Sequence, residues 1–301
     1  MDSANAASGD SRPKASSLGQ RVLTAAVGVP VLALLIWFGF WPVTLVVITG
    51  TCLSLLELYQ AFQRGGFVPR IAIGLTCGLL LCLAAASQAL TGTDRMGVAL
   101  ALGILISLTG ELAQHSREGG LAAWGLTFAG ALYVAGLLSH YILIGSLDTP
   151  LLADGWLVPL GAQSGPAWIY TVLAITWLQD TGAFFAGRSF GRHHMAPYLS
   201  PKKTWEGAVG GLLASIVVAL FCKALFGLPV SNVAMVILGL AGAISGLLGD
   251  LAESFIKRQV NVKDLGNFFP GHGGFLDRID SILFSGAFLY YLILLFTNQL
   301  F

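Results

Sequence analysis

The sequence predicts an all-α, polytopic membrane protein with about nine transmembrane helices, and three observations lead to this prediction. Hydrophobic residues make up 55% of the 301 residues and charged residues only 10%. The mean hydropathy is +0.78, which is far above that of a soluble domain. Apolar runs that are long enough to cross about 30 Å of hydrocarbon as a helix recur along the whole chain.

Nine such runs follow one another, and short polar or turn-rich segments separate them. Residues 1–20 are polar and rich in small residues, which predicts a disordered cytosolic tail. The remainder, residues 21–301, then forms a single integral membrane domain. Gly242 and Gly246, four residues apart, indicate close packing of the helix that carries them. The predicted helices cover residues 22–40, 42–62, 71–91, 96–113, 121–145, 166–186, 207–228, 232–253 and 280–300.

The linkers in order justify these boundaries and set the orientation of the chain. Trp41–Pro42 makes a short turn after the first helix, and the 146–165 linker has turn residues and acids but no cation. With the N-terminus in the cytosol, only Arg95 and Lys223 of the sixteen lysines and arginines fall on the outer side, so the other fourteen face the cytosol. The positive-inside rule favours this arrangement, which places the C-terminus outside.

Polar residues concentrate at the end of the eighth predicted helix. Asp250, Glu253, Ser254 and Lys257 are spaced so that they share one helical face. An ionised carboxylate within a membrane is costly, so Asp250 should face a polar cavity or a cation and indicates a functional site. The alternative is an ion pair, Asp250–Lys257 or Glu253–Lys257, that only ends the helix.

Asp277, Asp280 and Ser281 form a second polar face at the start of the ninth predicted helix. Acids at a helix N-terminus also stabilise the helix dipole, which is the structural alternative. Carboxylates without supporting Cys or His favour Mg²⁺ over zinc. Asp250 and Asp277 would supply its ligands if the two helices pack antiparallel. A second cation, monovalent or divalent, is left open.

Two further segments carry groups that suit phosphate. The glycines of the GHGG run permit close backbone approach to an anion, and we favour phosphate binding over proton transfer for its histidine. Ser200–Pro201 predicts a helix N-cap followed by proline at the first helical position, beside Lys202 and Lys203. A helix N-terminus with two ammonium groups would receive a triphosphate, although positive-inside charge explains the lysines equally well.

The segment 254–280 resembles the signature of the phosphatidate cytidylyltransferases, also called CDP-diacylglycerol synthases. The run from Ser200 to Gly207, SPKKTWEG, and Asp180 upstream of it resemble a second motif of the same family. The signature positions are Ser254, Lys257, Arg258, Lys263, Asp264, His272, Gly273, Gly274, Asp277, Arg278 and Asp280.

The resemblance implies transfer of a cytidylyl group from CTP to phosphatidic acid, which gives CDP-diacylglycerol and pyrophosphate. It places the protein in a bacterial inner membrane with its active site facing the cytoplasm. The implied catalytic residues are Asp250, Lys263, Asp264, His272, Asp277, Arg278 and Asp280, with Asp250 and Asp277 as the metal ligands. The implied substrate-binding residues are Asp180, Ser200, Lys202, Lys203, Thr204, Glu206, Ser254, Lys257, Arg258, Gly273 and Gly274.

Two other functions fit parts of the pattern. A CTP-dependent lipid kinase would use the same lysines but transfer the terminal phosphoryl group to a lipid alcohol. An ion-coupled transporter would use Asp180 and Asp250 as coupling sites, although the chain has no internal repeat. Nucleic acid is excluded as a partner because no basic patch with interleaved aromatics occurs. The sequence leaves a homo-oligomer open.

Overall fold

The computed structural model describes residues 18–114, 119–268 and 273–299, and the side chains from residue 26 onward within those ranges. The predicted tail lies almost wholly outside the described residues, as does His272 of the GHGG run.

Ten α-helices account for most of the described chain, and one small β-hairpin lies between two of them. They are α1 (Leu18–Trp37), α2 (Phe40–Arg64), α3 (Ile71–Thr91), α4 (Met96–Leu112), α5 (Gly120–Ala131), α6 (His140–Gly145), α7 (Ser164–Phe190), α8 (Trp205–Phe226), α9 (Asn232–Gln259) and α10 (Asp280–Phe296). A π-helical turn (Leu132–Gly136) joins α5 to α6, and 3-10 turns occur at Val158–Leu160 and Leu276–Arg278. The hairpin strands are β1 (His194–Ala196) and β2 (Ser200–Thr204), which pair antiparallel.

Every predicted apolar run is helical, which confirms the nearly all-α fold of a membrane protein. Among the described residues, five helical segments are both long and apolar enough to cross a membrane, and three apolar helices are shorter. The predicted total of about nine spans therefore stays a prediction. The five are Phe40–Arg64, Ile71–Thr91, Gly120–Gly145, Trp205–Phe226 and Asn232–Gln259.

The start of α8 differs from the prediction that Ser200 caps it. Residues 200–204 form strand β2, because Ser200 and Thr204 pair with the preceding strand. The helix begins at Trp205, where Thr204 has an extended backbone and its Oγ1 accepts the Gly207 N–H at 3.1 Å. The N-cap is therefore Thr204 and not Ser200, and Lys202 and Lys203 lie on a strand and not in the first helical turn.

Small residues allow α7, α8, α9 and α10 to pack closely. A Cβ atom on Gly182 of α7 would lie 2.6 Å from the Cβ of Ala214 in α8, and one on Gly242 of α9 would lie 2.6 Å from Ile175 Cγ2. Gly249 faces the start of α10 in the same way, with a Cβ position 2.6 Å from the Asp280 carbonyl oxygen. The prediction of close packing from the glycine spacing is confirmed.

The contacts between α9 and α10 run in opposite directions along the two helices. Gly249 meets Asp280 near one end and Gly242 meets Leu289 further along, so the helices are antiparallel, as the paired-carboxylate prediction required. Their connection returns to the C-terminal end of α2, where the Arg64 guanidinium binds the Leu265 carbonyl oxygen. One end of the molecule therefore gathers the ends of α2, α7 and α9 and the starts of α8 and α10.

Candidate active site

Polar residues of α9 form one face at this end of the molecule. Ser254 Oγ lies 3.5 Å from Asp250 Oδ1, and Lys257 Nζ lies 2.6 Å from Glu253 Oε2. These contacts confirm that the four residues share a helical face. Glu253 is fully buried, whereas Asp250 and Lys257 are half-buried. The face is therefore directed into the protein and not toward the surroundings.

Two lysine–aspartate ion pairs connect this face to other elements. Lys203, at the end of the hairpin, pairs with Asp250 Oδ2. Lys257 pairs with Asp277 Oδ1 at 2.7 Å, across the α9–α10 connection. Because cytosolic-loop lysines selected only by topology need no acid partner, these pairs favour a site over positive-inside charge alone. The alternative that Lys257 only ends α9 does not explain its second ion pair, because Lys257 bridges Glu253 on its own helix and Asp277 on the α9–α10 connection.

The connection holds Asp277 with backbone groups as well. The Leu265 N–H lies 3.2 Å from both carboxylate oxygens, and the Gly274 N–H donates to Oδ2 at 2.7 Å. Burial alone would raise the pKa of Asp277, but its interactions with Glu253, Lys257 and the Gly274 N–H outweigh burial and lower the pKa below its ordinary value. Asp277 is therefore held as a carboxylate in a buried place.

Asp280 lies at the same end and completes a group of acids. One carboxylate oxygen each from Asp250, Glu253 and Asp280 lies within 4.8 Å of the others. Asp280 Oδ1 also accepts the Ser281 N–H at 2.7 Å, within the first turn of α10. On α7, Asp180 lies near enough for the charges of Asp280, Asp250 and Lys203 to act on its carboxylate. The sequence-predicted acids of three separate segments thus meet.

The chemistry of these donors fits Mg²⁺. They are hard oxygen ligands from several elements, and a Mg²⁺ ion is usually bound by one or two carboxylates together with substrate phosphates. Asp250 and Asp277 are the two acids that a lysine ammonium pairs with across elements. Glu253 instead forms an ion pair with Lys257 of its own helix, and Asp280 Oδ1 accepts the N–H of its neighbour Ser281 at the start of α10. The Asp250–Asp277 pair and the Asp250–Glu253–Asp280 group share Asp250.

The hairpin borders the site on the side of α7 and α8. Glu206, in the first turn of α8, accepts the Arg192 N–H at 3.1 Å and lies 2.6 Å from His193 Nδ1. These contacts hold both strands against the helix. Lys202 is exposed next to Lys203, and the described residues give it no ion-pair partner. Thr204 caps α8, whereas Ser200 pairs in strand β2 and does not lie at the helix N-terminus.

Glu57 of α2 is the functional residue that the sequence left without a role. It is buried and accepts the Leu276 N–H at 2.9 Å. A Cβ atom on Gly274 would lie 2.5 Å from Glu57 Oε2, so only glycine leaves room for this carboxylate. Glu57 therefore fixes the GHGG segment onto α2. The rule that marked Asp250, an acid within an apolar run, applies equally to Glu57 and would have found it.

The remaining predicted residues lie around this centre. Arg258 Nε lies 3.4 Å from the Leu199 carbonyl oxygen and links α9 to the hairpin. Lys263 and Asp264 are exposed on the α9–α10 connection. Gly273 has φ +85°, and a Cβ there would lie 2.9 Å from Asp277 Oδ2, so a side chain would be both strained and crowded. Arg278 is exposed in the turn before α10.

Comparison with known proteins gives a consistent family. The model of the cytidylyltransferase family matches residues 19–296. The chain is 31% identical over 284 residues to the phosphatidate cytidylyltransferase of Bacillus subtilis, covering 92% of this chain and 98% of that protein. It is 30% identical over 293 residues to the enzyme of the same name from Synechocystis sp., covering 92% and 96%. A chloroplastic phosphatidate cytidylyltransferase of Arabidopsis thaliana is 30% identical over 93% of this chain and 74% of its own length.

Proposed function

This chain belongs to the cytidylyltransferase family, and we propose that it is a phosphatidate cytidylyltransferase that converts CTP and phosphatidic acid to CDP-diacylglycerol and pyrophosphate. The observation that carries the proposal is the pair of ion pairs, Lys203–Asp250 and Lys257–Asp277, which meet on one face of α9. They bring two ammonium groups and two carboxylates from three segments together, as a reaction between two phosphate-bearing substrates requires.

The hairpin lysines suit the triphosphate of CTP. Lys203 is half-buried against Asp250, and Lys202 is the exposed residue before it on the same strand. Binding of a polyanion gives Lys203 a second set of oxygen partners, and charge-assisted contacts of this kind are stronger than neutral ones. Thr204 and Glu206 are proposed as nucleotide contacts by their family position. Their measured contacts also hold the hairpin that carries the lysines.

The reaction is an in-line displacement at the α-phosphorus of CTP. An oxygen of the lipid phosphate attacks, the new P–O bond forms, and the bond between the α-phosphorus and the bridging oxygen breaks to release pyrophosphate. The attacking phosphate is mostly ionised near neutral pH, so no general base is required. Catalysis then consists mainly of positioning and charge neutralisation. Lys203 and Lys257 would neutralise charge on the phosphates as it moves to the leaving group.

Asp250 and Asp277 are proposed as the carboxylates that hold Mg²⁺. The ion would neutralise phosphate oxygens and orient the two substrates. Because each carboxylate is paired with a lysine, its engagement with an ion would leave Lys203 and Lys257 to contact phosphate oxygens instead. The group Asp250, Glu253 and Asp280 is the alternative ligand set, and a second cation would have its place there.

The site is proposed to face the cytoplasm of a bacterial cell from the inner membrane. Ten described cations lie at the end of the molecule that holds the site, and two, Arg95 and Lys223, lie at the other. The positive-inside rule then puts the site in the cytosol, where CTP is available. The ten are Arg64, Arg70, Arg188, Arg192, Lys202, Lys203, Lys257, Arg258, Lys263 and Arg278.

Purified protein supplied with phosphatidic acid, Mg²⁺ and CTP labelled separately at the α- and γ-phosphates tests the reaction. Label from the α-phosphate should appear in the lipid fraction and label from the γ-phosphate in pyrophosphate. In a parallel reaction with diacylglycerol in place of phosphatidic acid, transfer of γ-label to the lipid would instead identify a lipid kinase. The absence of both transfers, with the protein folded, would remove the proposed activity.

A further inference from the structure

An apolar cavity of about 410 Å³ adjoins the candidate active site. Its walls come from α1, α2, α6, α7 and the start of α10, and it reaches the exposed face of α1 at Gly28 and Val29. Protein interiors contain few voids larger than a water molecule. A cavity of this size on the membrane-embedded part of the chain therefore needs an apolar occupant.

One charged residue lies among those that line the cavity, and it is Arg278. Arg278 follows Asp277 directly in the chain, so the part of the cavity that Arg278 lines lies next to the turn that carries this residue of the candidate site. The other lining groups are aliphatic or aromatic, as Leu32, Val47 and Trp177 illustrate. An occupant thus meets hydrocarbon along the cavity and a cation at one end.

Among the described residues, the guanidinium of Arg278 has no carboxylate partner. Lys203 and Lys257 are neutralised by aspartates, whereas no ion pair in the described ranges, 18–114, 119–268 and 273–299, involves Arg278. An arginine guanidinium presents a planar set of donors that matches phosphate oxygens. Its position at the mouth of an apolar cavity is suited to an anionic group that carries a hydrocarbon chain.

We propose that this cavity receives an acyl chain of the lipid substrate and that Arg278 binds the lipid phosphate. The inference rests on the proposed function and deepens it. The family resemblance implies a catalytic role for Arg278, and a cytosine and ribose would find almost no polar partner along this cavity. The cations are instead divided, with Lys202 and Lys203 serving CTP from the hairpin and Arg278 serving the lipid from the α1–α2 side.

The first test locates the lipid without requiring turnover. The full-length protein in phosphatidylcholine nanodiscs is photolysed with phosphatidic acid that carries a diazirine in one acyl chain, and the crosslinked peptides are mapped. Crosslinks should fall on Val29, Leu32 and Val47, and unlabelled dioleoyl phosphatidic acid should suppress them. Crosslinks confined to outward faces such as Val217 of α8, or equal suppression by dioleoyl phosphatidylcholine, would overturn the proposal.

The second test fills the cavity. A Cβ atom on Gly28 meets no atom within 4 Å, so Gly28→Leu should fold normally while its side chain occupies the cavity. The KM for dioleoyl phosphatidic acid should rise at least about tenfold, with the KM for CTP unchanged. Gly125→Leu is the matched control, because Gly125 is also helical and open but lines no part of this cavity. Equal effects of both variants on lipid KM would contradict the assignment.

The third test concerns the cation. Arg278→Ala should weaken crosslinking of the phosphatidic acid probe by roughly ten- to a hundredfold, the loss expected for one charge-assisted contact. Crosslinking of a diacylglycerol probe should not change, and Arg278→Lys should restore part of the loss. Arg188→Ala, at the end of α7, is the control. Cytidylyl transfer that persists with unchanged lipid KM in Gly28→Leu would remove this inference alone, whereas specific crosslinking without any transfer would remove the proposed function alone.

Discussion

Lys257 shows how single residues organise the site. Its Nζ lies 2.6 Å from Glu253 Oε2 and 2.7 Å from Asp277 Oδ1. It therefore joins the end of α9 to the turn before α10 through one half-buried cation whose two carboxylate partners are both buried. Removal of one member of such a buried group leaves the others uncompensated, which is strongly destabilising. Substitutions here are expected to change stability and activity together, so less buried residues give cleaner tests.

Lys203 is such a residue, because it is half-buried and lies at the edge of the hairpin. Lys203→Ala should lower kcat/KM for CTP by roughly ten- to over a hundredfold, since one charge-assisted contact is lost. Steady-state kinetics with CTP varied would measure this. Lys223→Ala is the control, because Lys223 contacts Asn232 Oδ1 at the opposite end of the molecule. If the two variants have the same kcat/KM for CTP, Lys203 contributes only to the orientation of the chain in the membrane and not to substrate binding.

The metal ligands can be separated by their effect on the Mg²⁺ requirement. Asp250→Asn and Asp277→Asn should each lower turnover by at least about a hundredfold and raise the Mg²⁺ concentration for half-maximal rate. The double variant should be barely worse than either single one, because ligands of one centre act as a unit. Asp154→Asn, at the other end of the molecule, is the control.

Asp280→Asn discriminates between the two ligand sets. Asparagine retains an oxygen that can accept the Ser281 N–H at the start of α10, so an Asp280 that serves only the start of this helix predicts an ordinary Mg²⁺ requirement. A requirement raised in Asp280→Asn but ordinary in Asp277→Asn would assign the ion to Asp250, Glu253 and Asp280, and would reject the Asp250–Asp277 pair.

Glu57 is expected to position the glycine-rich connection. Glu57→Ala removes the acceptor of the Leu276 N–H and leaves a buried donor without a partner, which costs about 1–3 kcal/mol. The melting temperature in detergent should fall and turnover should fall with it. Glu57→Gln keeps a carbonyl oxygen at this place and should retain most of both. Equal loss in the two variants would show that the charge, and not the hydrogen bond, is what matters.

At the scale of elements, the hairpin before α8 determines where the lysines point. Strand β2 keeps Lys202 and Lys203 extended, and Trp205 begins the helix only after Thr204 has capped it. A helix that began at Ser200 would carry these residues around its first turn. Lys203 reaches Asp250 from the extended strand, so the pairing of β1 with β2 is part of the construction of the site.

The position of the cap can be measured directly. Thr204→Ala should destabilise the protein by about 0.5–2 kcal/mol, because the Gly207 N–H loses its acceptor. Ser200→Ala should leave stability unchanged, since the described contacts give the Ser200 side chain no capping role. Thermal unfolding in detergent compares the two. A larger loss in Ser200→Ala would reinstate the helix start that the sequence suggested.

At the scale of the whole molecule, the two ends differ in charge and in structure. The site end holds the hairpin and the glycine-rich connection. The other end is closed by the α6–α7 connection, where the Leu152 N–H donates to the Gly227 carbonyl oxygen at 2.7 Å. A protein that uses a cytosolic nucleotide and a membrane lipid needs this polarity.

Cysteine labelling tests the orientation that follows. In a background without the four native cysteines, single cysteines at Gly191 and Asn267 should react only with a reagent applied from the cytosolic side. A cysteine at Asp154 should react only from outside, because it lies at the opposite end. Sealed inside-out and right-side-out vesicles provide the two conditions. Outside labelling at Asn267 would invert the model of the site and separate it from CTP.

The sequence by itself determined the helical fold and the family, because both are written in local patterns. A long apolar run predicts a helix, because within a membrane the backbone N–H and C=O groups have no water to bind and a helix satisfies them with its own hydrogen bonds. The motifs around Asp250 and Lys203 are recognised by their charged residues and by the fixed spacing between those residues. Even the shared face of α9 follows from helical periodicity alone.

The tertiary structure decided which of these groups meet. The antiparallel packing of α9 and α10 placed Asp280 beside Asp250, while Asp277 was drawn to Lys257 and to backbone N–H groups. Strand pairing moved the helix cap from Ser200 to Thr204. Glu57 and the cavity below Arg278 depend on segments more than two hundred residues apart, and no local pattern encodes such contacts because they arise only when distant helices pack.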